Sequence, residues 1–208
     1  TKHLIIDTAP EVAKAALRDE LKRARTTGRG LVVHTARHSM GGQSLLKNGT
    51  AVTLDQDWIE IDQKDQAYKV AAGMRWRKVI TALDAQGLSP KVMQSNNDFG
   101  VASTFSVNAH GWPVTYSGGG TTARRVNIIL ASGEDMSCSR EQNPTLFSAA
   151  LGGYGLLGVI TELEMEAKPN LRLAPTFKRI PAKEFGTTFE NTLESDPTID
   201  MAYGRMNI

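Results

Sequence analysis

Apolar and polar positions change period several times along the chain, and the changes predict its elements. Leu4-Ile5-Ile6 is a short apolar run, read as a strand. Beyond it Ala13, Leu17, Leu21 and Ala24 recur at helical spacing. Thr8 with Glu11 fits a capping box ahead of that helix, and Gly28 fits its end. Leu31-Val32-Val33 reads as a buried strand that feeds a polar, glycine-bearing loop at 35–44. Strands are predicted at 51–54, 58–61 and 67–71, the last broken by Gly73. Trp76, Val79, Ile80 and Leu83 form an amphipathic helical stripe, closed by Gly87.

From Gln94 to Gly120 the chain is rich in Asn, Ser and Gly and reads mostly as loop. A hairpin is expected from 125 onward, with Arg125 to Ala131 as its first strand and Ser132-Gly133 as its turn. Asn143-Pro144 opens a short helix that ends at Gly152-Gly153. Leu157, Val159, Thr161, Leu163 and Met165 then alternate with Gly158, Ile160, Glu162, Glu164 and Glu166, the signature of a strand with one apolar and one wet face. After Pro169 the character shifts. A strand is expected at 171–180, a helix around Phe185, Phe189 and Leu193, and a strand at 199–207. This tail reads as the start of a second domain, and the chain as a fragment.

Composition narrows the class by exclusion. The 208 residues are 40% apolar and 22% charged, ordinary values for a globular protein with a sizeable core. A formal charge of +2 gives no electrostatic case for nucleic acid, and the Lys22, Arg23, Arg25 cluster reads as a solvated helix face. The single cysteine, Cys138, cannot close an internal disulfide. No apolar run reaches the length of a membrane span.

The strongest candidate for chemistry is the loop Arg37-His38-Ser39-Met40-Gly41-Gly42-Gln43. Two glycines let backbone N–H groups come close to a diphosphate, and Ser39 adds a hydroxyl donor. Taken alone, the loop fits a polar turn between strands equally well. Gly118-Gly119-Gly120 is read as a flexible connection, His3 and His34 as structural, and Trp58, Trp76 and Trp112 as packing residues.

Four stretches extend the signal: Ala36 to Gln43, Val70-Ala71-Ala72-Gly73, Val107-Asn108-Ala109-His110-Gly111, and Leu151-Gly152-Gly153 through Leu157-Gly158-Val159-Ile160-Thr161. In order and spacing the chain resembles the FAD-binding domain of the vanillyl-alcohol oxidase / p-cresol methylhydroxylase (PCMH-type) superfamily. That resemblance implies an α+β, two-lobed domain over 1–168, with lobes at about 1–64 and 65–168, and the start of a substrate domain at 169–208. It implies that residues 37–43 wrap the FAD pyrophosphate and that Gly73, Ser106, Asn108, His110 and Gly111 approach the cofactor. Val159 and Ile160 would meet the adenine or ribose through backbone groups.

The resemblance also implies that the His38 position can carry a covalent bond to the flavin. A neutral imidazole nitrogen is a reasonable nucleophile for it. Many relatives have glycine before that histidine, where this chain has Arg37. No cysteine lies at 100–106 for a second link. The implied activity is an FAD-dependent oxidase or dehydrogenase taking hydride from a substrate C–H, with a small-molecule substrate and an electron acceptor, oxygen or another. Two other readings stay open on the residues: a flavin-binding module without catalysis of its own, and a nucleotide-binding protein without flavin.

Overall fold

The structure, a computed structural model, describes residues 1–206. The chain begins with β1 (Lys2–Ile6), α1 (Pro10–Thr27), β2 (Leu31–His34) and β3 (Thr50–Leu54), which form a parallel sheet in the order β1-β3-β2. Parallel pairing dictates the path after β2. The chain must travel back from the end of β2 to the start of β3, and it does so through residues 35–49 with no helix on the way. The candidate phosphate loop is the first half of that return. It leaves from the carboxyl end of a parallel strand, the end at which α/β sheets commonly take ligands.

The second sheet is antiparallel. It comprises β4 (Ile59–Asp62), β5 (Ala67–Ala71), β6 (Leu88–Pro90), β7 (Ala123–Ile129), β8 (Asp135–Ser139) and β9 (Val159–Pro169), in the order β4-β5-β9-β7-β8 with β6 paired to one end of β9. β4 pairs with β5, so the chain passes from one sheet to the other between Leu54 and Ile59. Helices α2 (Trp76–Asp84), α3 (Val101–Ser106) and α4 (Pro144–Ala150) lie in its connections. The alternation read in β9 holds from Thr161 to Ala167: Thr161, Leu163, Met165 and Ala167 are buried, the intervening Glu162, Glu164 and Glu166 are half-buried, and only Ile160, buried beside Val159, departs from it. The carboxylates of Glu164 and Glu166 meet Arg125 at 3.6 Å and Lys91 at 2.7 Å.

Both sheets share one apolar core. Leu17 of α1, Val52 and Leu54 of the first sheet are continuous with Tyr68, Trp76, Phe105, Leu163 and Met165. Trp76 is fully buried, and its indole N–H donates to Thr104 Oγ1 at 2.8 Å. That bond removes the cost of enclosing the polar edge of the ring.

Several local expectations are corrected. The capping box at Thr8 and Glu11 does not form: Ala9 is the N-cap, with no side-chain bond, and Pro10 occupies the first turn. Proline suits that place because its missing N–H is one of the turn's unpaired donors. Gly28 (φ 64°) does end α1. The stretch 94–120 contains α3, which six residues rich in Ser and Thr hid from a periodicity reading. Gly119–Thr122 is a packed 3₁₀ turn and not a flexible link. Leu157 and Gly158 precede β9.

Residues 170–181 form no strand, and of the predicted strand at 199–207 the described part makes only the bridge Pro113 to Met201; Asn207 lies outside the described residues. Helix α5 (Phe185–Ser195) forms as predicted but buries no residue. Besides the backbone bonds of Ala202 N–H to Trp112 O (3.0 Å) and Asn170 N–H to Gly87 O (2.8 Å), the tail meets the rest through the ion pair of Lys168 with Asp200 and the stacked rings of Trp112 and Tyr203, 4.4 Å apart.

One buried charge ties α1 to the first sheet. The Glu20 carboxylate accepts from Lys2 Nζ (2.6 Å), Thr50 Oγ1 (2.7 Å) and Arg23 (3.0 Å). Burial pushes the carboxyl up, but these bonds and the charges of Lys2 and Arg23 outweigh it and hold the group below its ordinary range. A depressed folded value means the stabilisation is present above the unfolded carboxyl range and is lost as pH falls through the folded one. Glu20→Gln is therefore expected to lower the unfolding free energy by about 1–3 kcal/mol at neutral pH. The gap should narrow progressively as pH falls below the ordinary carboxyl range, read by urea denaturation of both proteins across an acid pH series.

Candidate functional site

The loop 37–43 projects from the end of β2 and is exposed throughout except for half-buried Gly42. Its backbone donors are largely free. Gly41 N–H donates to Gln43 Oε1 (3.1 Å), while among the described residues no acceptor meets the N–H groups of Arg37, His38, Ser39, Met40, Gly42 or Gln43. Six unpaired amides beside a serine hydroxyl form a donor set suited to an anion with several oxygens. Gly42 takes φ 76°, a conformation that disfavours side chains. Met40 is fully exposed at the loop tip.

Arg37 also has a left-handed backbone, φ 57°, without being glycine. Its side chain folds back: Nε donates to His34 Nε2 (2.8 Å) and a terminal nitrogen donates to Thr53 Oγ1 (3.1 Å). Two hydrogen bonds to neighbouring strands thus offset the roughly 1–2 kcal/mol that such a backbone costs. Accepting from Arg37 requires a lone pair on His34 Nε2. Burial, Arg37 and His3 all hold the His34 imidazole below its ordinary range, in keeping with a neutral ring.

The other wall is the segment 96–103. Asn97 and Phe99 carbonyls accept the N–H groups of Arg77 (2.7 Å) and Trp76 (3.1 Å), and Arg75 bridges to Gly100. The first turn of α2 is thereby used to position this segment, where free N–H groups would otherwise remain. Gly100 faces Thr35. A Cβ on Gly100 would stand 1.9 Å from Thr35 Oγ1, so no other residue fits without displacing the threonine. Beside it, Thr35 Oγ1 and Ser103 Oγ share a hydrogen bond of 2.9 Å. His38 completes the seam: Nε2 is 2.8 Å from Asp98 Oδ2, and its ring lies 5.0 Å from that of Phe99.

Further along, the predicted residues fall into two groups. Ser106, Asn108, His110 and Gly111 follow α3 in a loop fastened by backbone bonds: Ser106 O accepts from Tyr154 N–H (2.8 Å) and Ala109 O from Gly119 N–H (2.9 Å). Asn108 (φ 47°) accepts from Gly120 N–H at 2.9 Å. His110 is exposed, with Nδ1 3.3 Å from the Gly111 carbonyl. Gly73 lies over the end of β3, where a Cβ would meet the Leu54 carbonyl oxygen at 2.5 Å. Its neighbour Ala72 donates to Thr161 O (3.1 Å), next to Val159 and Ile160 in β9. Those two residues are buried and pair with Ile129 and Ile128.

Sequence reasoning missed Asp98, Thr35 and Ser103. The segment 94–120 looked like featureless loop, and nothing local marks a carboxylate sixty residues from a histidine as its partner. Among the described residues no group of three or more His, Cys, Asp or Glu could hold a metal, and no helix is long and apolar enough to cross a membrane.

With this geometry in view, the sequence pattern of the FAD binding domain family matches residues 12–139, and the chain belongs to that family. FAD is accordingly the cofactor of this class. Among curated proteins, a putative D-arabinono-1,4-lactone oxidase from Neurospora crassa is 36% identical over 116 residues, covering 56% of this chain and 21% of the relative. Cytokinin dehydrogenase 2 from Arabidopsis thaliana is 30% identical over 167 residues, covering 79% and 32%. The chain thus spans a third or less of the length of these relatives. The solved structure of 6-hydroxy-D-nicotine oxidase from Arthrobacter nicotinovorans shares the fold, with a TM-score of 0.72 at 20% identity over 79% of this chain and 36% of that one.

The Thr35 and Gly100 contact is testable by itself. Gly100→Ala is expected to destabilise the protein by about 1–3 kcal/mol through overpacking. Adding Thr35→Ala should recover part of that loss, so a double-mutant cycle in denaturant will be non-additive.

Proposed function

We propose that the chain is the flavin-holding part of an FAD-dependent oxidoreductase, an oxidase or dehydrogenase that removes hydride from a substrate C–H at a CH–OH group. The observation that carries this reading is the exposed loop with six unpaired amides, lying within a match to the FAD binding domain. The names of the relatives, oxidases and a dehydrogenase, support the reaction class.

In this reading Arg37, His38, Ser39, Met40, Gly41, Gly42 and Gln43 hold the pyrophosphate. Backbone amides and the Ser39 hydroxyl donate to it, while Arg37, tied back to His34 and Thr53, fixes the loop's entry angle. Gly73 permits close approach at the seam between the sheets, and Val159 and Ile160 offer backbone groups toward the adenine or ribose. Ser106, Asn108, His110 and Gly111 form the flavin end, and His38 is the covalent anchor to the 8α carbon. Bound FAD supplies the hydride acceptor and returns the electrons to dioxygen or another acceptor. Residues 1–168 form the cofactor domain, with lobes at about 1–64 and 65–168, and 169–208 begin a substrate domain. The exposed Leu171, Phe177 and Phe185 support that division, since they lack the cover a finished domain gives such residues.

The full-length protein is expected to absorb in the visible as a flavoprotein and to keep its flavin on denaturation. His38→Ala should bind FAD but release it when denatured. A protein that takes up no FAD overturns the whole reading. A link that persists in His38→Ala overturns only the anchor. Bleaching of the flavin by members of a panel of alcohols and sugars then tests the CH–OH class.

A further inference from the structure

A histidine can use only one nitrogen as a nucleophile, and its other hydrogen bond decides which. His38 meets a single polar partner among the described residues, Asp98, through Nε2 at 2.8 Å. Asp98 is held on several sides. Its Oδ1 pairs with Arg77, its N–H donates to Asn96 Oδ1 (2.9 Å), and its carbonyl accepts from Arg75 (3.2 Å). The pairing of 97–100 with 75–77 sets its backbone. The bond from His38 is the largest influence and holds the Asp98 carboxyl below its ordinary range; burial opposes it, and the charges of Arg77 and Arg75 act with it. Asp98 is thus an ionised carboxylate, which accepts only.

We propose that Asp98, itself held by Arg77, is the positioning residue for flavin attachment: it keeps the His38 proton on Nε2 and leaves the Nδ1 lone pair as the nucleophile. The proposal rests on the reading of His38 as the anchor. In the attachment one 8α C–H bond of the flavin methyl group is exchanged for a C–Nδ1 bond. The methyl proton, one proton from solvent and the electron pair of the broken bond end on dioxygen as hydrogen peroxide. His38 retains its Nε2 proton and becomes an imidazolium facing Asp98, so the carboxylate also stabilises the charge that develops. This is the division of labour between an aspartate and a histidine in nucleophilic catalysis.

The fold gives the pairing its geometry. His38 lies at the end of the parallel sheet and Asp98 beside the antiparallel one, and the Thr35, Gly100 and Ser103 contacts hold the two segments together. Phe99, next to Asp98, lies against the imidazole at 5.0 Å between centroids and limits its rotation.

The test uses the full-length protein with Asp98→Asn, Asp98→Ala and Asp98→Glu. Covalent flavin is read as fluorescence remaining with denatured protein, and the His38 tautomer by ¹⁵N NMR of the flavin-free protein at alkaline pH. The unaltered protein is expected to show Nε2–H and covalent flavin. Asp98→Ala should shift the tautomer toward Nδ1–H. Asp98→Asn should bind FAD reversibly yet attach it about tenfold or more slowly. Asp98→Glu should restore part of the rate, which a merely structural role would not predict. Attachment at the original rate in Asp98→Asn, or an unchanged tautomer in Asp98→Ala, overturns the proposal while the anchor reading stands. Absence of covalent flavin in the unaltered protein overturns the anchor reading and the proposal with it.

Discussion

The contact between Thr35 and Gly100 is the constraint on which the site depends. The threonine side chain fills the space that a Cβ on residue 100 would need. This close approach brings the end of the parallel sheet against the segment leading into α3. The hydrogen bond from Thr35 to Ser103, the pair formed by His38 and Asp98, and the contact of His38 with Phe99 all lie within a few residues of that point. A larger residue at 100 is expected to separate His38 from Asp98 before it affects either sheet.

The loop owes its character to topology. Parallel pairing of β2 with β3 demands a long return, and no helix supplies it. A return made of coil leaves amides without partners, and such groups stay exposed or find a ligand. The same economy explains the quieter parts of the site. Around 106–120 some amides are spent within the stretch itself, Gly120 on Asn108 and Gly119 on Ala109, which ties its two ends together.

Much of this was legible in the sequence, and the parts that were not share a cause. Elements with a long, clean period were read correctly: α1 from Ala13, Leu17 and Leu21, and β5 within its bounds. The ordered glycine motifs led to the FAD-binding family before any geometry was known, and the family match agrees. Features that depend on distant residues were missed. The polar composition of 94–120 resembles loop, because Thr104 is buried with bonds to Gln94 and to Trp76, and Trp76 lies outside the stretch. Apolar residues at 171–180 suggest a strand, but among the described residues no neighbouring strand pairs with them, and β structure requires one. Asp98 carried no signal at all, because a carboxylate becomes informative only when its partner is known.

The histidines show why geometry must follow residue type. His34, His38 and His110 all lie close to the expected cofactor path, yet their surroundings assign them different chemistry. His34 is buried, accepts from Arg37, and so serves as a neutral support for a loop whose first residue carries a strained backbone. His110 is exposed and touches only its neighbour's carbonyl, which leaves its ring without an orienting partner. His38 alone combines exposure with a carboxylate on one nitrogen and no partner on the other. Arg37, in the place that is glycine in many relatives, links the first of these to the third. It gives up glycine's conformational ease, but its side chain binds the loop to β2 and β3. The backbone of His38 is then fixed from the parallel sheet, while its ring is fixed from the opposite wall.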